Sequence, residues 1–281
     1  MKEKEVLKRL GFEEEKELAS IEQLQDYNIS YEEDDENYFN LSDKEGKKPE
    51  KIIESFLPYQ RYILPVLHYA YGRVTITGWR AWLENEVAYF HKGARHDKSW
   101  MQKRYETKVI PIDLLMGNFS SDVKDEDELA NTELQKLCPI DAGHILGKFT
   151  KLTPLISDYL GSKQNSDNIN IYPQFKNANE QDGKDDHDYG QLHFEREVRD
   201  NLPCYYEAEA IIRDWNDVVP IGTRMRMIDT INFKERFHVF IPNIVHEEFS
   251  TDSILNKTTA EQYRAFFERG DLNKLTPKNN K

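Results

Sequence analysis

Asp141-Ala142-Gly143-His144 and Asn170-Ile171-Tyr172-Pro173-Gln174 are the two segments that most strongly constrain the architecture of this chain. The second is rich in amide side chains and has the character of a strand that leads into a helix, with Asn179 following shortly. A later amphipathic stretch, Phe194-Glu195-Arg196-Glu197-Val198-Arg199, predicts a helix. Its Glu195 and Arg199 share one face, because residues four positions apart are neighbours on a helix surface.

Segments on both sides of this region have the pattern of β-strands. Gly72–Trp79 alternates β-branched residues after a turn signal, and three more strands are predicted downstream, over Tyr205–Ile212, Thr223–Asp229 and Arg236–Ile241. In Thr223–Asp229 charged side chains alternate loosely with apolar ones, which predicts a sheet with one solvent-exposed face. The expected fold class is therefore α+β with an antiparallel sheet.

The first 50 residues differ in composition from the rest of the chain. They hold 16 acidic and 8 basic residues, and the whole chain has a net charge of −13. Apolar spacing predicts a helix in residues 1–20, whereas the charge run at 31–36 and the breaker cluster at 44–49 indicate a linker or acidic arm over 28–49. We expect an N-terminal helix and linker at 1–54, a main domain at 55–250 and a helical tail at 251–281.

Length and charge exclude several classes of protein. Among the 281 residues there is no apolar run of the roughly 18 residues that a membrane helix needs, so no membrane span is expected. Met1–Glu5 is charged, which predicts a cytoplasmic protein or one exported by a route without a cleavable signal peptide. The acidic balance excludes binding of nucleic acid by phosphate neutralisation alone. Cys138 and Cys204 are interpreted as two buried thiols, with a single bridge between them as the alternative.

A histidine, an amide-rich segment and an acidic helix suit metal-assisted hydrolysis of a phosphodiester. Water must lose a proton near neutral pH, and histidine can accept it because its pKa lies near 7. The charge that develops on the phosphate and on the leaving oxygen must be offset, which a divalent cation does. Because Mg²⁺ keeps most of its waters, one amide ligand and one supporting carboxylate are sufficient.

The motifs resemble those of the DNA/RNA non-specific endonucleases of the ββα-metal class. The first motif of that family is Asp-Arg-Gly-His, or a variant with a small second residue, and Asp141–His144 matches the variant. The second is Asn-x-x-Pro-Gln-x-x-x-x-Asn, which Asn170–Asn179 matches at the same spacing. A glutamate after an aromatic residue, with an arginine one turn later, matches Phe194–Arg199. The resemblance covers roughly Tyr71–Asn243 and implies an antiparallel sheet core with a ββα-metal finger and flanking helices.

The resemblance also implies a role for each of these residues. His144 is the expected general base, and Asn179 is the expected direct protein ligand of Mg²⁺, for which Mn²⁺ can substitute. Glu195 is expected to bind the metal through water, and Arg199 to support the charge of the phosphate in the transition state. Three further residues are expected in the site. Asp141 is placed with the catalytic residues, and Asn170 and Gln174 are expected to support the substrate and the metal ligands.

Two departures from the family pattern leave alternatives open. Ala142 stands where the fullest motif has an arginine, and the candidates to replace it are Arg73, Arg80, Arg95 and Arg104. An acidic insertion at 180–189 precedes the glutamate helix, so Glu197 is the alternative to Glu195. Two other features are interpreted as ordinary structure: the insertion's His187 as solvated and not a second metal ligand, and Trp79, Trp82 and Trp100 as core and not base-stacking residues.

The sequence thus predicts a Mg²⁺-dependent, sequence-independent endonuclease of DNA and also of RNA, with a cognate inhibitor protein as a further expected partner. Proteins of this kind often serve as delivered toxins or in nutrient scavenging, so a nuclease toxin is one expected role. Two alternatives remain at this point. One is a catalytically silent nuclease-fold protein that only binds nucleic acid or a partner. The other is an acidic interaction protein, such as an inhibitor, that uses residues 1–50.

Overall fold

The computed structural model describes residues 3–31, 37–70, 72–84, 140–147, 170–180, 189–213 and 220–244. Within these ranges the elements are, in chain order, α1 (Glu3–Leu10), α2 (Glu15–Ala19), β1 (Tyr27–Ser30), β2 (Phe39–Asp43), α3 (Pro49–Phe56), β3 (Leu64–Ala70), β4 (Arg73–Leu83), β5 (Ile140–His144), β6 (Ile171–Phe175), α4 (Lys176–Glu180), α5 (Gln191–Asp200), β7 (Cys204–Ile211), β8 (Gly222–Asp229) and β9 (Glu235–Pro242). A short 3-10 turn, Leu57–Tyr59, follows α3. The predicted tail at 251–281 lies outside the described residues.

The larger sheet contains seven strands within the described ranges, in the order β1-β2-β9-β8-β7-β4-β3. All of its paired neighbours run antiparallel. Strands β7, β8 and β9 lie where the three downstream strands were predicted, because alternating apolar residues there pack onto a common core. Gly72, with φ of 72°, occupies the turn between β3 and β4, a conformation that glycine adopts without steric cost. The expected α+β class with an antiparallel sheet core is confirmed.

The N-terminal segment contributes strands to the sheet, so the interpretation of 28–49 as a linker is wrong for β1 and β2. Strand β2 pairs with β9 through Phe39 and Phe240, and β1 pairs with β2. Helices α1 and α2 pack Leu10 and Leu18 into the same core as Phe39 and Phe240. The apolar residues of this segment stand among many charges, but Leu10, Leu18 and Phe39 are all buried.

The sheet has two covered faces. On one, which we call the apolar face, Tyr206, Met225 and Met227 pack with Tyr172 of β6 and Phe194 of α5. On the other, which we call the ion-pair face, lie Glu207, Glu209, Arg224 and Arg226. All eight residues of β8 are buried, so the prediction of one solvent-exposed face is wrong. The second face is buried because the N-terminal segment covers it: Gln23, Tyr27 and Asp43 contact the residues of the ion-pair face.

The smaller sheet is an antiparallel pair, β5 with β6, followed directly by α4. The register places Asp141 opposite Gln174 and His144 opposite Ile171. Helix α4 packs against β5, β6 and α5. This strand-strand-helix unit has the order that the motifs predicted. No helix among the described residues combines the length and the apolar character needed to cross a membrane.

Candidate functional site

The pairing of β5 with β6 brings the two sequence motifs together. His144 is the last residue of β5, and Asn170 immediately precedes β6. The side chain of Asn170 is buried, accepts a hydrogen bond from the backbone N–H of Leu146 at 2.9 Å and donates one to the Leu146 carbonyl at 3.1 Å. The carbonyl of Asn170 also accepts the N–H of Ile145 at 2.9 Å. Asn170 therefore fixes the course of the chain directly after His144.

Gln174 links the strand pair to the helix that carries Asn179. Its buried Nε2 donates to the carbonyl of Ala178 at 3.2 Å, one residue before Asn179. A Cβ atom at Gly143 would overlap the Gln174 side chain, so glycine is needed at this position of the first motif. Asn179 itself is partly buried on α4. The glycine of one motif thus provides space for the glutamine of the other.

Gln191, which sequence reasoning did not single out, lies at the centre of the cluster. It is the first residue of α5 and is 1% exposed. Its Nε2 donates to the carbonyl of His144 and, at 2.7 Å, to Oε1 of Glu195. Its Oε1 accepts from Gln174 Nε2 at 3.2 Å. The available sequence signal was its spacing, because a residue four positions before Glu195 shares its helix face.

Glu195 has an unusual electrostatic environment. Burial of its carboxylate raises the pKa to about 7, and the hydrogen bond from Gln191 acts in the opposite direction. Within the described part of the chain, no lysine or arginine pairs with this carboxylate. A Cβ atom at Gly147 would overlap it, so the backbone after His144 passes directly against Glu195. The arrangement holds a poorly solvated carboxylate beside the end of β5.

The other two predicted residues of α5 lie apart from this cluster. Glu197, the alternative to Glu195, accepts a hydrogen bond from Asn201 Nδ2 at 3.0 Å near the end of the helix. Arg199 is exposed, and its Nε donates to Asp200 Oδ1 at 2.8 Å. The structure brings Glu195, Gln174 and the backbone of His144 together but does not bring Arg199 to them. Asn179 and Glu195 belong to two helices, α4 and α5.

The arginines proposed to replace the one missing at Ala142 have different positions. Arg80 lies opposite Glu207 on the ion-pair face, away from the cluster. Arg73 is the first residue of β4, and Arg95 and Arg104 lie outside the described residues. Trp79 belongs to the buried core, as interpreted, and Trp82 packs partly buried beside α3. Cys204 is a buried free thiol, while Cys138, Trp100 and His187 lie outside the described residues.

A group with metal-ligand chemistry, Asp43, Glu235 and His238, lies elsewhere, with its ligand atoms within 4.8 Å of one another. Arg226 already donates to both carboxylates, to Asp43 at 2.7 Å and to Glu235 at 2.6 Å. Burial, together with Arg224 and Arg226, holds the pKa of His238 well below its ordinary value. A cation there would meet two guanidinium groups, so we assign these residues to the ion-pair network.

Known proteins resemble this chain in structure but not in sequence. No protein-family model matches the chain, and no curated protein sequence matches it. Its structure is similar to that of NucA from Streptococcus agalactiae with a magnesium ion bound, with a TM-score of 0.52 and 12% identity over 90% of this chain and 97% of that one. The structure of NucA from the same organism with no metal bound gives a TM-score of 0.47 and 14% identity over 87% and 92%. The chain therefore has a fold similar to that of NucA.

Proposed function

We propose that this chain is a Mg²⁺-dependent, sequence-independent endonuclease that hydrolyses phosphodiester bonds of DNA and also of RNA. The observation that carries the proposal is the hydrogen-bonded cluster in which both sequence motifs and Glu195 meet through Gln191. The fold supports it, since NucA, which is similar in structure, has been solved with a magnesium ion bound. The sequence motifs supply the expected chemistry.

The residues of the cluster fit a magnesium ion. Glu195 offers a carboxylate whose pKa is raised by burial, and among the described residues its hydrogen-bond partner is the neutral amide of Gln191. A buried carboxylate without a cationic partner favours a cation bound from solution. Asn179 would be the direct oxygen ligand, and Glu195 would hold metal-bound water. When bound, the ion would offset the charge on the phosphate and the leaving oxygen, with Mn²⁺ as a substitute.

His144 would take the proton from the attacking water, because a neutral imidazole can accept a proton at physiological pH. Its backbone is fixed at the end of β5 by the contact of its carbonyl with Gln191 and by Asn170, which binds the chain at Leu146. Asp141 would support this strand from its place opposite Gln174. Arg199 would support the charge of the phosphate, for which it would have to exchange Asp200 for the nucleic acid.

A plasmid-nicking assay with Mg²⁺, and with a chelator added, tests the proposal. We expect cleavage by the native chain with Mg²⁺ or Mn²⁺ and none with the chelator. His144→Ala should lower the rate by roughly 10²–10⁴-fold, the usual contribution of a general base, while its thermal unfolding stays unchanged. Structured RNA serves as a second substrate.

Glu197→Gln is the matched control, because Glu197 lies on the same helix and binds Asn201 instead of the cluster. We expect its rate to stay within about twofold of the native rate. Absence of cleavage with every divalent metal would overturn the enzyme proposal and favour a silent binding protein. A fully active His144→Ala protein would refute the assignment of the base.

A further inference from the structure

We infer that Gln191 is a positioning residue of this site, which holds the Glu195 carboxylate in a fixed relation to the end of the His144 strand. The inference rests on the proposed function, because it assigns Gln191 a task in that same site. Gln191 belongs to neither sequence motif, and its role follows from its contacts.

Both polar atoms of the Gln191 amide are used within the protein. Its Nε2 donates to the carbonyl of His144 and to Oε1 of Glu195 at 2.7 Å. Its Oε1 accepts from Gln174 Nε2 at 3.2 Å and from the hydroxyl of Tyr172 at 3.3 Å. A glutamine that is 1% exposed must find such partners, since an unsatisfied buried amide is costly. The side chain therefore bridges β5, β6 and α5.

These contacts fix which way round the amide oxygen and nitrogen of Gln191 lie. Two oxygen acceptors face its nitrogen, and two donors face its oxygen. Turning the amide over would place its oxygen against two acceptor oxygens on one side and its nitrogen against the Gln174 Nε2 donor on the other. The Tyr172 hydroxyl also contacts Thr223 Oγ1 on β8, so the chain of contacts ends in the central sheet. Gln191 thus ties Glu195 to the most buried part of the fold.

The carboxylate is confined from two sides. The Gln191 amide binds its Oε1, and the backbone at Gly147 leaves no room for a Cβ atom beside it. Its Oε2 makes no hydrogen bond within the described part of the chain, and in the proposed site this oxygen would hold metal-bound water. Binding one oxygen while leaving the other available is what a supporting carboxylate requires, and small displacements of such groups weaken a site strongly.

The test compares Gln191→Met with Gln23→Met. Methionine keeps the length of the side chain and removes every hydrogen bond of the amide. Gln23 is the matched control, because its amide also joins distant elements, binding Glu209 Oε1 at 3.0 Å and the N–H of Ile212 at 2.7 Å, but on the ion-pair side. Mn²⁺ alone is the probe, and its Kd is measured by electron paramagnetic resonance together with kcat, KM and the Tm of each protein.

We expect Gln191→Met to raise the Kd for Mn²⁺ by about tenfold or more and to lower kcat with little change in KM, as for other residues that orient metal-binding groups. Gln23→Met should lower the Tm and leave the Kd for Mn²⁺ unchanged. If Gln191→Met does not fold, Gln191→Glu replaces it and should show the same loss, since it sets a carboxylate against Glu195. A folded Gln191 variant with Kd and kcat within about twofold of the native values would overturn the inference. Native protein that binds Mn²⁺ but never cleaves would refute the proposed function alone, and the Kd comparison would still decide the role of Gln191.

Discussion

The cluster around Glu195 and the ion-pair face of the central sheet both contain buried carboxylates, but they surround them with different partners. On the ion-pair face, Glu207 and Glu209 share Arg224 at 2.5 and 3.1 Å. Burial alone would raise the pKa of Glu207, but Arg224 holds it below its ordinary value. Glu195, by contrast, meets a neutral amide, and burial raises its pKa to about 7. The same chemical group is structural where the fold supplies a cation, and suited to bind one from solution where it does not.

The largest effect should follow from removing the cation of the ion-pair face. Arg224→Met leaves Glu207 and Glu209 buried without their charge partner, and we expect the free energy of unfolding to fall by about 3–5 kcal/mol. Denaturant unfolding measures this. Those molecules of the variant that are folded should still bind Mn²⁺, because Arg224 lies on the face of the sheet opposite the Glu195 cluster. A loss below about 1 kcal/mol would show that the network is not needed for stability.

A smaller effect is expected from filling the space beside Glu195. In Gly147→Ala the new methyl group overlaps the carboxylate, so either the strand end or Glu195 must move. We expect a loss of about 1–3 kcal/mol in stability and a cleavage rate lower by roughly 10- to 100-fold. Gly46→Ala is the control: it has a positive φ of 60° but no atom near its would-be Cβ, so it should cost about 1 kcal/mol and leave cleavage unchanged. Equal cleavage by both variants would contradict the close approach.

The smallest effect concerns pH. Because the folded pKa of Glu195, about 7, exceeds its ordinary value of 4.5, the folded state binds the extra proton between these values. The associated stability is present below about pH 4.5 and is lost as the pH rises through 7. For the metal-free protein we expect this contribution to the free energy of unfolding to fall by roughly 1–2 kcal/mol between pH 5 and 8, allowing for the partial exposure of the side chain. When the stability of Glu195→Gln is measured by urea unfolding at several pH values, this pH-dependent loss should be absent. A pH dependence equal to that of the native chain would contradict the raised pKa.

Local patterns were sufficient to predict much of the sheet. Strands β7, β8 and β9 combine alternating apolar residues with clear turn signals, and their positions follow from these alone. The ion-pair face could not be predicted, since Arg224 and Arg226 alternate with apolar residues in the same way on a wet face and on a buried one. What distinguishes the two is the cover from the N-terminal segment, whose strands are short and surrounded by charges.

The candidate site was predicted in part for a similar reason. Motif spacing indicated His144 and Asn170–Gln174, and the pairing of β5 with β6 places those segments side by side. The spacing of Glu195 and Arg199 predicted a shared face, but Arg199 binds its neighbour Asp200. Gln191 could not be predicted from local pattern, because its importance depends on contacts with two other elements, β5 and β6. The assigned roles of His144, Asn179, Glu195 and Arg199 remain predictions.

The most direct test of the contrast between the two regions is the location of Mn²⁺ by anomalous X-ray scattering from crystals of the native chain grown with that ion. The account predicts one peak beside Asn179 and Glu195, with His144 close to it, and no peak among Asp43, Glu235 and His238, where Arg226 already binds both carboxylates. A peak within that second group, or none beside Glu195, would contradict the central claim.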